Sequence, residues 1–440
     1  MLAYVFPPFF SVGGSIRVVK FIKYLVELGW LPVVLTIDDR KEYQTMNKEG
    51  STSLFSDIPP QVKVCRTFAG EPSLSFLEKE KEFGQRNWLS GVIVKLLGGA
   101  RRWAVRYLFL PDRYVAWLPF ALRRGRLIVR TEGIDAIFAT CPPNSVALVG
   151  VFLKLLTGKR LILDFRDDWI DTPDYYSIPI IPRLIRVCLE KWAVQMADKV
   201  ILVTAWSIKS FKSRYPYEPE DKFVLIPNGC DLKDFAISRE MSKRNHNSPF
   251  RIVHAGLLND SNRWGRSPVT VFQALHCILQ EQPEIADKLI LAFTGHLPEG
   301  FLRTANELGL SDVVKELGHL PREEFVRYLR ESDLLLTINF DGFYTLIPGK
   351  IYEYWAVGGP PILLLSCPGA AASFVEQHSL GLTVEPSDVA GIQQAILTLY
   401  RQSKTGAPPR VSTAGIEAYD RQALTRKLAQ ILTMVCDQPH

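Results

Sequence analysis

Short apolar runs alternate with amphipathic segments along most of this chain. In the first half, segments with helical periodicity, such as 14–28, 145–156 and 182–196, lie between runs typical of β-strands. Repeated strand–helix alternation predicts parallel sheets covered by helices. The strands predicted in this half are 2–5, 32–36, 136–140, 160–164, 199–203 and 223–226.

A polar segment, ISREMSKRNHNSP at 237–249, interrupts this alternation and is typical of an interdomain linker. The alternation then restarts, and a length of 440 residues also favours two domains. We predict two doubly wound, Rossmann-like α/β domains, 1–236 and 250–412, that face each other across a cleft at the carboxyl ends of their strands. One long helix over 413–435 could pack back on the first domain.

Composition excludes several classes of protein. The 47% hydrophobic and 22% charged residues are typical of a folded soluble protein. Seven scattered cysteines without a C-x-x-C pair favour a reducing cytosol over a disulfide framework or a structural zinc. No basic region precedes the apolar start, so no signal peptide is expected. The apolar runs at 146–156 and 361–375 are too short or too interrupted to span a bilayer.

The most informative segment is 339–365, NFDGFYTLIPGKIYEYWAVGGPPILLL. It predicts a strand end, a loop, a helix over 350–356 and a buried strand, with Pro348 and Gly349 opening the helix. Backbone N–H groups at such a helix start suit a phosphate. Glu353 lies one turn inside, where the ribose of a bound nucleotide would be. A plain helix with one solvated glutamate is the alternative.

Two further loops are candidate diphosphate sites. Arg263 and Arg266 precede a predicted helix whose N-terminus favours anions, although loop arginines in water have the same pattern. Gly13 and Gly14 lie between a predicted strand and a predicted helix. This pair allows close approach of backbone to a ligand, or is an ordinary turn.

The segment LDFRDDW at 163–169 places carboxylates at the end of a buried strand. Charges at this position are costly unless they are paired or face a cleft. Asp164 and Asp167 are therefore candidates for acid–base catalysis or acceptor binding, and a structural Asp–Arg pair is the alternative.

Four motifs in register resemble the retaining GT-B glycosyltransferases of the family-4 group. They are PP…GG…R near the start, IPNGCDLKDF, HAGLL…RSP and PGKIYEYWAVGGPPIL, and together they span nearly the whole chain. Within that group, PPNS at 142–145 and DFRDDW at 164–169 resemble enzymes that build bacterial surface polysaccharides and exopolysaccharides.

The resemblance implies roles for individual residues. Glu353 matches the second glutamate of the family's E-x7-E motif, which holds the nucleotide ribose, and Thr345 stands at the first. The backbone from Gly342 to Thr345 would cradle the sugar phosphate. Arg266 matches the basic diphosphate ligand, with Arg263 as a substitute for a second one.

Gly13 and Gly14 match the loop of the first domain that faces the diphosphate, and Lys350 completes the expected donor-binding set. Asp164, Asp167 and Arg266 are the expected catalytic residues. The family's mechanism needs neither a metal ion nor a cofactor, because arginine and helix N-termini neutralise the leaving diphosphate.

The resemblance implies transfer of a sugar from a nucleotide-diphosphate donor, a UDP-sugar, to a lipid-linked or oligosaccharide acceptor. A nucleotide-sugar epimerase of similar build is one alternative. A non-catalytic nucleotide-sugar-binding subunit is another, because Thr345 replaces a glutamate.

The stretch 86–130 contains ten basic residues and one acidic residue, with interleaved aromatic side chains. This composition favours an anionic membrane surface. A solvated basic face is the alternative, and no nucleic-acid-binding signature accompanies it. We expect a cytoplasmic protein that can lie on the inner face of the cell membrane.

Overall fold

The computed structural model describes residues 1–8, 14–38, 54–70, 107, 109–170, 175, 177–236, 248–256, 258, 267–339, 342–405 and 409–437. The chain forms two compact units. Unit 1 comprises Met1–Val203, Ile208–Ile226 and Thr425–His440, and unit 2 comprises Thr204–Ser207 and Pro227–Leu424. Most of the predicted linker, 237–247, lies outside the described residues, so this boundary stays a prediction.

The sheet of unit 1 is parallel. Its strands are β1 (Val33–Ile37), β2 (Lys63–Thr67), β3 (Ala136–Cys141), β4 (Arg160–Phe165), β5 (Lys199–Leu202) and β6 (Phe223–Leu225). β1 pairs with β2, and β3 to β6 follow one another in order. Leu2 connects the two groups, since it bridges Leu35 of β1 and Ala139 of β3. β3, β4 and β5 are almost wholly apolar because helices cover both faces of a parallel sheet.

The predicted first strand, 2–5, is wrong in extent, because the structure has only the bridge at Leu2. The carbonyl of Tyr4 accepts a hydrogen bond from the Thr36 hydroxyl at 3.1 Å instead of from a strand N–H. Pro7 and Pro8 then offer no N–H with which to continue a ladder.

The helices described in unit 1 pack on this sheet in two apolar cores. They are α1 (Gly14–Glu27), α2 (Leu118–Thr131), α3 (Ser145–Thr157), α4 (Ile180–Met196) and α5 (Ala205–Arg214), the last from its fourth residue onward. α1 lies in one of the cores with Val34 of β1, and the other helices lie in the second. α3 is apolar on nearly all sides because it lies between α2 and α4.

Unit 2 is built on a six-stranded parallel sheet. Its strands are β7 (Phe250–Ala255), β8 (Leu289–Thr294), β9 (Val314–Gly318), β10 (Leu334–Ile338), β11 (Ile362–Leu365) and β12 (Gly381–Val384). The spatial order is β12-β11-β10-β7-β8-β9. The chain direction across the sheet therefore reverses between β7 and β10. In such sheets ligands bind at this switch point, outside the carboxyl ends of the strands.

The helices described in unit 2 follow the predicted alternation. They are α6 (Val269–Glu281), α7 (Glu299–Glu307), α8 (Arg322–Arg330), α9 (Gly349–Val357), α10 (Ala370–Gln377) and α11 (Val389–Lys404). The two units thus confirm the predicted fold class, two doubly wound α/β domains.

The predicted helix over 413–435 is wrong at its beginning. A 3₁₀ turn covers Ile416–Tyr419, and α12 (Arg421–Asp437) begins only afterwards. Asp420 instead forms a short parallel bridge with Cys230. Because this bridge uses the backbone groups that would continue a helix, the two segments stay separate.

Candidate functional site

A lysine lies at the switch point of unit 2. Gly256, directly after β7, has a φ of 118°, in the left-handed region that favours glycine. A Cβ at Gly256 would lie 1.8 Å from Lys350 Nζ, so the ammonium group rests against the backbone here. Gly295, directly after β8, has a φ of 122° and lies beside Gly256. Bare backbone and the ammonium group of Lys350 therefore line the carboxyl ends of β7 and β8.

The same lysine belongs to the first turn of α9. Pro348 precedes this helix with a φ of −55°, and its side chain makes no capping hydrogen bond. The first turn contains no acidic residue. Helix N-termini attract anions, and a lysine in the first turn strengthens that preference. The end of β7 and the start of α9 thus form one positively charged position.

Glu353 follows one turn inside α9 and is half-buried. Burial first, and then the charge of Glu353, raise the pKa of the Cys230 thiol to about 12. Cys230 Sγ also donates to the carbonyl of Tyr352 at 3.5 Å. The carboxylate therefore lies on the side of α9 that faces Cys230, within one helical turn of Lys350.

Tyr354 connects α9 by hydrogen bonds to β7 and β10, the two strands at the switch point. Its hydroxyl accepts from Ala255 N at 2.8 Å and donates to the carbonyl of Leu336 at 3.3 Å. Burial raises the pKa of this phenol. The hydroxyl therefore stays neutral, and it can donate one hydrogen bond while it accepts the other. Tyr354 thereby sets the distance between the β7 end and the helix that bears Lys350.

On another face of α9, aromatic side chains pack the helix against its neighbours. Tyr352 and Trp355 pack on Phe374 and Tyr419, with ring centroids 5.1–5.8 Å apart. His378 lies 4.6 Å from Trp355 between ring centroids, and its Nε2 is 3.2 Å from the Tyr419 hydroxyl. Such pairs contribute about 0.5–1.5 kcal/mol each beyond area burial.

Burial lowers the pKa of His378 below its usual value. Between that lowered pKa and about 6.5, the unfolded chain binds the proton more readily than the folded one. This contribution to stability is full above about pH 6.5 and is lost as pH falls through the folded pKa. We expect His378→Phe to flatten the decline in urea midpoint between about pH 7 and about pH 5. An equally steep decline in the variant would contradict this assignment.

The loop before α9 is anchored on α10. Ala370 N donates to the carbonyl of Tyr344 at 2.7 Å. Gly369 lies so close that a Cβ would be 2.7 Å from the same oxygen. Gly342 has a φ of 78°, and Thr345 is half-buried. The role predicted for Gly342–Thr345, contact with the donor's sugar phosphate, stays a prediction.

In unit 1, Asp164 is fully buried in an ion pair. Arg17 Nη2 donates to Asp164 Oδ1 at 2.9 Å, and Arg17 Nε donates to Oδ2 at 3.2 Å. The Thr140 hydroxyl also donates to Oδ2, at 2.8 Å. Both carboxylate oxygens of Asp164 thus accept hydrogen bonds within the core. This geometry agrees with the structural Asp–Arg pair, and the catalytic role of Asp164 stays a prediction.

Arg166 extends from the end of β4 to the start of α1. Its Nε donates to the carbonyl of Cys141 at 3.0 Å, and its Nη2 donates to that of Pro142 at 2.6 Å. A Cβ at Gly14 would lie 2.1 Å from Arg166 Nη1. Burial lowers the pKa of Arg166, but a guanidinium stays charged at any physiological pH. Gly14 therefore admits a cation at the N-terminus of α1.

Asp167 adjoins this arginine at the same carboxyl edge and is half-buried. Burial raises the pKa of its carboxyl group, and the charge of Arg166 counteracts part of the rise. Carboxyl groups with a raised pKa at such an edge are candidates for proton transfer. Unlike Asp164, Asp167 is partly accessible, so it is the better candidate of the two.

Gly13, Arg263 and Arg266 lie outside the described residues, and their donor-binding and catalytic roles stay predictions. Within the described ranges, no group of three or more His, Cys, Asp and Glu side chains is placed to hold a metal ion. In that same part of the chain, no helix is long and apolar enough to cross a membrane.

Two residues that position the site have roles that were not predicted from the sequence. Tyr354 was not singled out, although a tyrosine directly after the candidate glutamate is a usable signal. Arg17 is the arginine of the PP…GG…R motif, but no role was predicted for it. Its signal is an arginine between apolar residues of an amphipathic helix, where burial requires an anionic partner.

Family comparisons match both units. A glycosyl transferase 4-like domain matches residues 13–229, and a glycosyl transferases group 1 domain matches residues 264–402. Among curated proteins, the amylovoran biosynthesis glycosyltransferase AmsK of Erwinia amylovora is 29% identical over 224 residues, 47% of this chain and 53% of that protein. This chain spans about half the length of the curated relatives it matches.

Solved structures share this fold. Sucrose-phosphate synthase of Thermosynechococcus elongatus has a TM-score of 0.66 at 14% identity, covering 98% of this chain and 95% of its own. HepE of Anabaena in complex with UDP and glucose has a TM-score of 0.60 at 15% identity, covering 99% and 100%. At these identities the likeness shows the fold.

Proposed function

This chain belongs to the GT-B glycosyltransferases, and we propose that it transfers a sugar from a UDP-sugar to a lipid-linked or oligosaccharide acceptor with retention of configuration. The solved complex of HepE with UDP and glucose supports the choice of donor. The amylovoran relative supports polysaccharide biosynthesis as the setting.

The observation that carries the proposal is the position of Lys350 against Gly256, at the switch point and in the first turn of α9. A ribose bound by Glu353 would place the nucleotide diphosphate over the N-terminus of that helix. Lys350 and the helix N–H groups would then neutralise the charge that develops on the leaving diphosphate. The reaction would need no metal ion, as the resemblance implies.

In the proposed reaction the acceptor hydroxyl attacks the anomeric carbon from the face that the diphosphate leaves. The new C–O bond forms as the bond to the phosphate oxygen breaks, and the hydroxyl proton passes to that oxygen. Asp167 would orient the acceptor at the carboxyl edge of unit 1. Asp164 would act through Arg17 by holding α1 and β4 together.

Donor binding tests this assignment. Glu353→Ala is expected to raise the Kd for UDP about ten- to a hundredfold in calorimetry, because a lost hydrogen bond to an ionised acceptor costs about 1.5–3 kcal/mol. Glu376→Ala, an exposed glutamate on α10, is the matched control and should bind UDP normally. Equal affinity of both variants would place the ribose elsewhere.

Product analysis separates this proposal from its rivals. A transferase yields UDP and a glycosylated acceptor, and in the absence of acceptor it slowly yields UDP and free sugar. An epimerase interconverts or releases sugars at an undiminished rate without any acceptor. A non-catalytic subunit binds UDP-sugar but turns nothing over across a broad acceptor panel, and that outcome would refute the proposed reaction.

A further inference from the structure

The first half of α4 exposes large apolar side chains to solvent. Ile180, Ile181, Leu184 and Ile185 are 67%, 60%, 58% and 39% exposed. We call these four residues the apolar ridge. Their spacing, at i, i+1, i+4 and i+5, puts them on one side of the helix. The second half of α4 is packed into the core through Ala193 and Val194. A contiguous apolar surface of this kind marks an interaction site.

The apolar ridge lies at the carboxyl edge of the unit 1 sheet. At the amino edge, Asp198 pairs with Lys154 of α3 and Arg160 of β4, which fixes the C-terminal end of α4 there. α4 has 17 residues, so it extends about 26 Å back along the sheet. Its first turns therefore reach the edge at which Arg166 and Asp167 follow β4.

α2 adds positive charge to the same layer of helices. Its C-terminal end is held at the amino edge, because Glu132, the residue after it, pairs with Lys63 at the start of β2. Arg123 and Arg124 are exposed in the first half of α2, with Phe120 38% exposed one turn before them. Of the two arginines, Arg124 also lies within electrostatic range of Lys63 and Glu132. α3 packs against both α2 and α4, so these helices lie side by side.

The charged residues around the apolar ridge distinguish two possible partners, a second copy of this chain and an anionic bilayer. α2 contains no acidic residue, and neither does the first half of α4, which also contains Arg183 and Arg186. A second copy of this chain on a twofold axis would bring surfaces of like charge together. An anionic bilayer instead attracts arginines at its surface and accepts isoleucine and leucine below it.

We propose that the apolar ridge of α4 inserts into an anionic bilayer while Arg123 and Arg124 of α2 contact its headgroups. This inference rests on the lipid-linked acceptor proposed above, because docking at the carboxyl edge brings the membrane to the edge where Asp167 lies. The ridge is outside the basic stretch 86–130 and adds an apolar component that salt does not screen.

Sedimentation with lipid vesicles tests the docking surface. The vesicles contain phosphatidylcholine with or without phosphatidylglycerol, and neither donor nor acceptor is present. The wild-type protein is expected to bind the phosphatidylglycerol vesicles. Leu184→Ser/Ile185→Ser is expected to lower the partition coefficient about a hundredfold, including the part that resists salt. Arg123→Gln/Arg124→Gln is expected to weaken binding chiefly at low salt.

Leu155→Ser/Leu156→Ser is the matched control, because these leucines are 55% and 48% exposed beside Lys154 at the amino edge. This variant should bind vesicles like the wild type. Equal losses in the ridge and control variants, or a wild-type protein that ignores the vesicles, would overturn the proposal. A wild-type dimer that dissociates in the ridge variant would also overturn it, in favour of a second copy.

UDP calorimetry on the same preparations keeps the two proposals apart. Normal UDP binding without vesicle binding would refute the docking surface and leave the proposed function standing. Vesicle binding without UDP binding would refute the proposed function and leave the docking surface standing. Unchanged circular dichroism and thermal midpoints in the ridge variant would show that its loss of binding is not a loss of fold.

Discussion

Replacing Lys350 by alanine is expected to lower kcat/KM by about a hundred- to a thousandfold. An electrostatic group that stabilises developing charge in the transition state contributes about 2.7–4 kcal/mol, mostly in kcat. The unfolding midpoint should change little, because Lys350 is half-buried at a helix start. Lys315→Ala, an exposed lysine on β9, is the matched control and should leave kcat/KM unchanged.

A substitution at Gly256 tests the same contact from the other side. Gly256→Ala would place its Cβ 1.8 Å from Lys350 Nζ and so displace the ammonium group. It should reproduce most of the kinetic loss of Lys350→Ala, together with a stability cost of about 1–2 kcal/mol for the left-handed backbone. If Lys350→Ala matches its control in kcat/KM, the cation at the diphosphate is another residue, with Arg266 as the first candidate.

The apolar strands were predictable because burial on both faces leaves a strong signal. β4 is buried from its second residue onward, and its observed ends lie within one residue of the predicted strand 160–164. β10, LLLTI, is buried along its whole length. β2 and β9 were missed because their sequences, KVCRT and VKELG, are polar and partly exposed. Such strands are defined by their pairing partners, and single-sequence periodicity does not contain that information.

The sequence predicted individual residues of the candidate site, but it did not predict which residues come into contact there. Proline and glycine punctuation gave the start of α9, and hence Lys350 and Glu353 as residues of its first turns. The approach of Lys350 to Gly256 depends on the order of β7 and β10 in the sheet, which the sequence does not state. Arg17 and Asp164 are 147 positions apart, so only the folded sheet brings them together.

Asp164→Ala is expected to destabilise the protein by about 3–5 kcal/mol, because it leaves Arg17 as a buried charge without its carboxylate. Urea unfolding of the variant and the wild type measures this difference. Glu132→Ala is the matched control, since it removes the exposed pair with Lys63 and should cost less than about 1 kcal/mol.

Two further variants separate the structural role of Asp164 from a catalytic one. Arg17→Met/Asp164→Leu removes both charges together, and we expect it to recover much of the lost stability, because the desolvation penalty of the ion pair disappears with its attraction. In Asp164→Asn the side chain keeps its size, so folded enzyme can be assayed well below its urea midpoint. A structural pair gives a large stability loss with kcat nearly retained per folded molecule. A kcat that collapses at unchanged stability would mean that Asp164 takes part in the chemistry. The ion pair with Arg17 would then serve to keep the buried carboxylate of Asp164 ionised.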